Sequence, residues 1–338
     1  MSETETKIIM VGPSGVGKTS LLASMYSHIR REVAELGCTF LSSAACSNEL
    51  DERKQELERL ATGKALTVDL NLGPKPGQDK RIFEFKLHVR QGIPDIVMQF
   101  IDLPGGWFLG KGEYEEAERL IAQSQVIIVA VDAWALMEMK DGQGVGKYNM
   151  QVNKPRVICE ALERASIALT GAPPLILFVL VKAEKYLHND QADELFAAAK
   201  SCYGPLIEPL IKRNHPIAGC WVETVGGLEL NSVFEKDGMP HGKFMRLRGD
   251  KGGYQPRHCS VPLRLVFKLA LNKVISDTKT IPDGFWGSFW EVCAKIVGKE
   301  TELSKNIMKH TKLKEVAEHL TKKLSGEPLA WFNETTHQ

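Results

Sequence analysis

Gly12-Pro-Ser-Gly-Val-Gly-Lys-Thr19 ends a glycine-rich stretch with an amine and a hydroxyl side by side. A loop of this kind turns successive backbone N–H groups inward around phosphate oxygens, and a helix starting at its end presents a positive N-terminus to the same anion. Lys18 is then placed to reach β- and γ-phosphates, and the Thr19 hydroxyl to coordinate Mg²⁺. The phosphate-binding set is Gly12, Pro13, Ser14, Gly15, Val16, Gly17, Lys18, Thr19 and Ser20. A plain turn that happened to contain lysine would leave the Lys-Thr placement unexplained.

A second signal is Val97-Met-Gln-Phe-Ile-Asp102-Leu-Pro-Gly105. A carboxylate at the carboxyl end of a buried strand sits where ligand crevices of α/β sheets lie, so Asp102 can hold a Mg²⁺-bound water. The Gly105 N–H can approach a γ-phosphate. Asp-x-x-Gly alone begins many turns; its order after the phosphate loop and its apolar lead-in give it weight.

These residues need elements to position them. Lys7-Ile-Ile-Met-Val11 is β-prone, and Ser20 to Leu36 has the apolar spacing of a helix, so the loop joins strand to helix. Asn48 to Thr62 is charged, with Leu50, Leu57 and Leu60 as a thin apolar stripe, and predicts a surface helix. Arg81 to Val89 and Val97 to Ile101 predict an antiparallel hairpin at a sheet edge. Val126–Val131, Leu175–Val181 and Ile217–Val222 are continuous apolar runs, separated by helical stretches near Glu115–Gln123, Pro155–Thr170 and Asp190–Tyr203. Polar glycine-rich loops are expected between Lys140 and Lys154 and over Asp237–Gly242. Pro262 to Ile275 is helical in period. Beyond Gly284 the chain reads as wholly helical, with Phe285, Trp286, Phe289 and Trp290 clustered and Leu303, Ile307, Val316, Leu320 and Leu324 recurring. The expected fold is α/β: a doubly wound, mostly parallel sheet with an antiparallel edge hairpin, a P-loop NTPase fold, plus a C-terminal helical extension.

The bulk composition is permissive. With 338 residues, 43 Lys+Arg against 42 Asp+Glu and 43% hydrophobic residues, the chain can bury a large core, and its net charge of +1 gives no argument for nucleic acid or an anionic membrane. The longest apolar run, Leu175 to Val181, is far short of the roughly 20 residues that span a bilayer. No basic, apolar leader opens the sequence, and the seven cysteines are scattered without a CxxC pair. A reducing, cytoplasmic setting follows, with the cysteines packing as small apolar groups.

Over roughly residues 7 to 225, the phosphate loop, the antiparallel hairpin and Asp102-Leu-Pro-Gly105 resemble the Ras-like GTPases of the translation-factor-related class. The resemblance implies GTP or GDP as bound nucleotide, Mg²⁺ as cofactor, and a domain over 1–225 with an insertion at about 38–80, followed over 226–338 by a loop region and helical extension. In that family Asn or Thr, Lys, any residue, Asp reads guanine. Here the corresponding segment is Val181-Lys182-Ala183-Glu184: Lys182 can pack its stem along the base, and Glu184 can accept both guanine N–H donors, at the cost of a shifted backbone. The base-touching loop after the last strand falls on Thr224 and Val225, and the residue that senses γ-phosphate and its Mg²⁺ on Thr67, preferred over Thr39 and Thr62 as nearest the hairpin.

One departure concerns turnover. Many relatives place Gln directly after the Asp-x-x-Gly glycine to orient water, whereas this chain has Gly106 and Trp107. Slow intrinsic hydrolysis is the expectation, assisted by a partner, a self-dimer, or a residue such as Glu113 or Arg119. Lys18, Asp102, Gly105 and Thr67 are the catalytic set, and Thr19, Asp102 and Thr67 the metal set. The long insertion and the Pro262-Leu263 helix start are similar to the layout of bacterial double-GTPase conflict-system proteins. The expected role is a nucleotide-controlled switch acting on a protein partner. A guanylate-type kinase, which shares Gly-Pro-Ser-Gly, and an oligomerising ATPase stay open as alternatives; the first needs an Arg-rich acceptor site, the second an arginine-finger constellation.

Overall fold

The computed structural model describes residues 4–35, 39–63, 67–69, 79–88, 95–109, 113–137, 145–169, 171–236, 239–247, 252–277 and 329–331. The central sheet contains β1 (Thr4–Val11), β2 (Thr39–Ser42), β4 (Arg81–His88), β5 (Ile96–Asp102), β6 (Val126–Asp132), β7 (Leu175–Val181), β8 (Ile217–Trp221) and β11 (Leu329–Trp331), in the order β11-β8-β7-β6-β1-β5-β4-β2. Five neighbours, β8, β7, β6, β1 and β5, run parallel. The chain passes from β1 to β5 on one side and then to β6 on the other, so the order reverses beside β1. Crevices form at the carboxyl ends of strands at such a point.

Helices cover both faces of the sheet. Side chains alternate along each buried strand: Ile8 and Met10 of β1 face the core beneath α1 (Lys18–Glu35) and α9 (Ser260–Asp277), and Ile9 and Val11 face the other. That second core packs α3 (Tyr114–Ala122), α6 (Pro155–Ile167) and α8 (Ala192–Lys212). Leu175, Leu177, Val179 and Val181 of β7 point to the first core, Ile176, Phe178 and Leu180 to the second. A run apolar at every position is the pattern of a strand covered on both sides.

Several elements differ from the sequence reading. The hairpin β4–β5 forms, with Phe83, Phe85 and Leu87 buried, but the edge belongs to β2, which pairs antiparallel with β4. Helix α8 runs past Tyr203 through Pro205 and Pro209 to Lys212. Each proline removes an N–H, yet Ile207 and Leu210 continue the buried face of Leu195, Ala199 and Tyr203, and that burial prevails. Part of the expected loop before Lys154 is helix α5 (Val145–Val152), which precedes α6 and follows the short α4 (Ala133–Met137). Gly242 lies within a strand, because β9 (Leu228–Lys236) and β10 (Met239–Arg246) pair as a hairpin; with β3 (Thr67–Asp69) they make a separate three-stranded sheet.

The insertion supplies α2 (Ala44–Ala61), capped by Ser43, whose hydroxyl accepts from the Cys46 N–H. Its stripe of Leu50, Leu57 and Leu60 is buried as expected. Leu57, Leu60 and Ala61 form a small third cluster with Val225 and Leu228, with Phe244 and Tyr254 against it. The residues after 226 therefore contribute sheet as well as helix: α9 packs on α1 and β1, and β11 extends the central sheet antiparallel to β8. The Phe285–Trp290 cluster and Leu303 to Leu324 lie outside the described residues. Among the described residues no helix is long and apolar enough to cross a membrane. Cys159 and Cys220 are buried, and burial pushes their thiols up, to about 12 for Cys159. These are packing residues, not nucleophiles.

Candidate functional site

The loop from Gly12 to Gly17 joins β1 to α1, and α1 begins at Lys18. Gly15 and Gly17 hold φ of +81° and +112°, backbone that L side chains rarely adopt. Lys18 folds back over the loop: its Nζ donates to Gly12 O at 2.8 Å and Pro13 O at 3.3 Å, and stands 4.0 Å from Asp102 Oδ1. Burial lowers the Lys18 pKa, and the Asp102 charge works against that shift.

Asp102 closes β5, beside Met10 of β1 and Arg81 of β4. Its Oδ2 accepts the Thr19 hydroxyl at 3.0 Å; its Oδ1 is buried with no hydrogen-bond partner. Burial raises the Asp102 pKa, opposed by Lys18, the Thr19 hydrogen bond and Arg81. Gly105 opens a 3₁₀ turn, Gly105–Leu109, and a Cβ there would stand 2.1 Å from Ser14 N and 2.5 Å from Pro13 C. The two loops thus touch backbone to backbone. Trp107 is buried beside them, its indole N–H unpartnered.

Toward the other side of β1 the site continues along β6, β7 and β8. Lys182 follows β7 with φ +58° and donates to Gly15 O at 3.0 Å and to Asp132 Oδ2 at 2.5 Å. Asp132, at the end of β6, is 3% exposed and fixed by three further bonds. Its N–H donates to Asn153 Oδ1 at 2.8 Å, its carbonyl accepts from Asn153 Nδ2 at 3.0 Å, and its Oδ1 accepts from Ala135 N at 2.9 Å. Asn149 Oδ1 in turn accepts from Asn153.

Glu184 starts the short helix α7 (Glu184–His188) and is buried. Its Oε1 accepts from Val225 N at 3.3 Å. Burial, with Glu223 adding to it, pushes its carboxyl up to about 7, against the pull of its own N–H and those of Val225 and Gly226. Thr224 and Val225 are buried, and Thr224 O accepts from the Ser24 hydroxyl of α1 at 2.9 Å. Behind this loop, Gln255 N donates to Val225 O at 3.0 Å, and Glu223 and Arg257 exchange backbone bonds. Gly226 has φ +73°, and a Cβ on it would stand 2.0 Å from Gln255 O.

The carboxyl ends of five parallel strands therefore carry Asp102, the phosphate loop, Asp132, Lys182 with Glu184, and Thr224 with Val225. Thr67 is not brought to this group: it is exposed on β3, opposite Lys243 in the small sheet. Glu113 precedes α3, and Arg119, exposed on α3, is taken up by Glu116 and Gln123. The sequence reading missed Asp132, although a carboxylate closing an apolar strand is the signal that singled out Asp102. It also missed Arg53 of α2, whose Nε and Nη2 donate to Ser20 Oγ at 3.0 and 2.7 Å.

The arrangement offers backbone donors and a lysine for phosphates, hard oxygen donors for a divalent cation, and a separate lysine and carboxylate after β7, two strands from β1. The family model described as Double-GTPase 2 matches residues 7–206. No curated protein matches the sequence. The matched span runs from β1 into α8 and takes in the phosphate loop, Asp102 and the Lys182–Glu184 segment; Thr224 and Val225 follow it. Since the match covers more than half of the chain and both loops that touch at Gly105, this protein belongs to the Double-GTPase 2 family, with the P-loop NTPase fold.

Proposed function

We propose that the protein binds GTP and GDP with Mg²⁺, hydrolyses GTP slowly, and acts in the cytoplasm as a nucleotide-controlled switch on a protein partner. The observation that carries the reading is the Lys182 amine on Gly15 O, which ties the segment in the guanine-reading position to the phosphate loop. A base beside Lys182 would lie next to Glu184, whose carboxylate can accept two N–H donors from guanine but would meet an acceptor at N1 of adenine.

The residues fit Mg²⁺. Thr19 Oγ1 and the Asp102 carboxylate are hard oxygen donors already in contact, and the buried Asp102 Oδ1, which accepts no hydrogen bond, is the kind of atom an ion-bound water satisfies. Thr19 and Asp102 would hold the ion, which would supply charge neutralisation for the terminal phosphates. Lys18, poised over Gly12 and Pro13, would trade those carbonyls for phosphate oxygens, and Gly105 lies against the Ser14 backbone. Slow turnover follows from Gly106, which has no side chain, standing directly after Gly105 where many GTPases carry a water-orienting glutamine.

Competitive binding tests the reading. GTP and GDP should displace a fluorescent guanine nucleotide strongly and ATP weakly, Lys18→Ala should abolish binding, and single-turnover hydrolysis by dilute protein should be slow. Equal affinity for ATP removes the guanine assignment, and full affinity in Lys18→Ala removes the phosphate loop.

A further inference from the structure

The inserted helix α2 brings a cation to the phosphate site. Arg53 follows the buried Leu50 by three residues and precedes the buried Leu57 by four, so it shares the face of α2 turned toward α1. Its Nε and Nη2 both donate to Ser20 Oγ, at 3.0 and 2.7 Å, and its Nη1 pairs with Glu56, which is half exposed. The Arg53 side chain is 20% exposed.

Ser20 lies in the first turn of α1, directly after Thr19. The first N–H groups of a helix lack intrahelical acceptors and carry partial positive charge, which favours anions there. A guanidinium adds positive charge at the same end; the Ser20 hydroxyl does not offset it, and Glu56, half exposed and screened by water, offsets it only in part. The planar fork of five N–H donors matches phosphate oxygens far better than one hydroxyl. An arginine held by packing and by Glu56 at a helix N-terminus that already carries a phosphate loop is a cation placed for an anion.

We propose that Arg53 is a phosphate ligand supplied within the chain by α2, and that it contacts the α-phosphate of the bound nucleotide. The inference rests on the nucleotide reading of the phosphate loop. Lys18, Thr19 and Asp102 mark the end where the terminal phosphates and Mg²⁺ belong, and Lys182 and Glu184 mark the base. Ser20 follows Thr19 in the first turn of α1; with the Lys reaching the β- and γ-phosphates and the Thr hydroxyl the metal, the α-phosphate is the one left for a cation held at Ser20. The α-phosphate is common to GDP and GTP, so Arg53 strengthens both alike.

Fluorescent-nucleotide titration of the full chain separates the outcomes, with wild type, Arg53→Ala, Arg53→Gln and Arg53→Lys compared at one salt concentration. Arg53→Ala is expected to weaken GDP and GTP by the same factor, ~10-fold or more. Arg53→Lys should recover part of the loss. Arg53→Gln keeps a donor for Ser20 but no charge, and should retain the wild-type melting temperature while losing affinity as Arg53→Ala does. Wild-type affinity in Arg53→Ala and Arg53→Gln overturns the proposal and leaves the nucleotide reading standing. A loss confined to GTP overturns the α-phosphate assignment. If wild type itself binds neither nucleotide, the nucleotide reading fails and this inference with it.

Discussion

The Thr19 hydroxyl donates to Asp102 Oδ2 at 3.0 Å, joining the first turn of α1 to the carboxyl end of β5, 83 positions along the chain. Asp102→Asn keeps an acceptor for Thr19 and relieves the cost of a buried charge, but removes the counter-charge 4.0 Å from Lys18. Lys18 retains Gly12 O and Pro13 O, so the net change in stability should stay near ~1 kcal/mol by urea unfolding. Mg²⁺-dependent single-turnover hydrolysis should fall by about 100-fold or more. Wild-type turnover in the folded variant would take Asp102 out of the site.

Gly105 makes the contact between the two loops possible. In Gly105→Ala the new methyl would overlap Ser14 N and Pro13 C, backbone atoms that cannot swing aside as a side-chain end can. The loops must separate, at a cost of about 1–3 kcal/mol, and the phosphate cradle is displaced with them. Nucleotide affinity by titration should drop by at least ~100-fold. Unchanged affinity would mean that the cradle does not depend on this contact.

Local features were legible from residue order. The phosphate loop needs only glycines, Lys18 and Thr19 in sequence, and β6, β7 and β8 announce themselves as unbroken apolar runs. Lys182 was singled out because, in the resemblance, the base-reading lysine follows such a run. What failed depended on distant partners. Strand β2 has four residues, two of them exposed, and becomes a strand only because β4 lies beside it. Helix α8 continues through two prolines because its buried face outweighs the lost N–H groups, which a local rule cannot weigh. Arg53 has no motif of its own; it reaches Ser20 only because a thin leucine stripe seats α2 on α1.

The pair Asp132–Lys182 is buried and holds Lys182 against Gly15. In Asp132→Asn the Ala135 N–H still finds the side-chain oxygen, so the start of α4 keeps its cap, while Lys182 loses its counter-charge. Breaking a buried ion pair on one side costs roughly 3–5 kcal/mol when no water enters; Lys182, 13% exposed, should lose less, about 2 kcal/mol. Guanine-nucleotide affinity should fall about tenfold and ATP affinity less. Equal losses for both nucleotides would show that Asp132 serves the fold and not the base-reading segment.

On the proposed reading, Glu184 should make base recognition depend on pH. Its carboxyl is raised from 4.5 to about 7, chiefly by burial, with Glu223 adding repulsion and the N–H groups of Val225 and Gly226 pulling the other way. Between those values the folded chain binds a proton that the unfolded chain releases. The associated stability is fully present below pH 4.5 and is lost as pH rises through about 7. The swing is roughly 3 kcal/mol, and Glu184→Gln should flatten it in urea unfolding followed against pH. Guanine recognition through Glu184 should run with the opposite sign, because two N–H donors need the ionised carboxylate. GDP affinity should therefore rise as pH increases toward 7 and then level off. ADP, whose phosphates titrate in the same range, cancels that contribution when the GDP-to-ADP ratio is followed. A ratio that stays flat from pH 5.5 to 8, or a Glu184→Gln variant that still prefers guanine, would show that Glu184 braces the Val225 loop without touching the base.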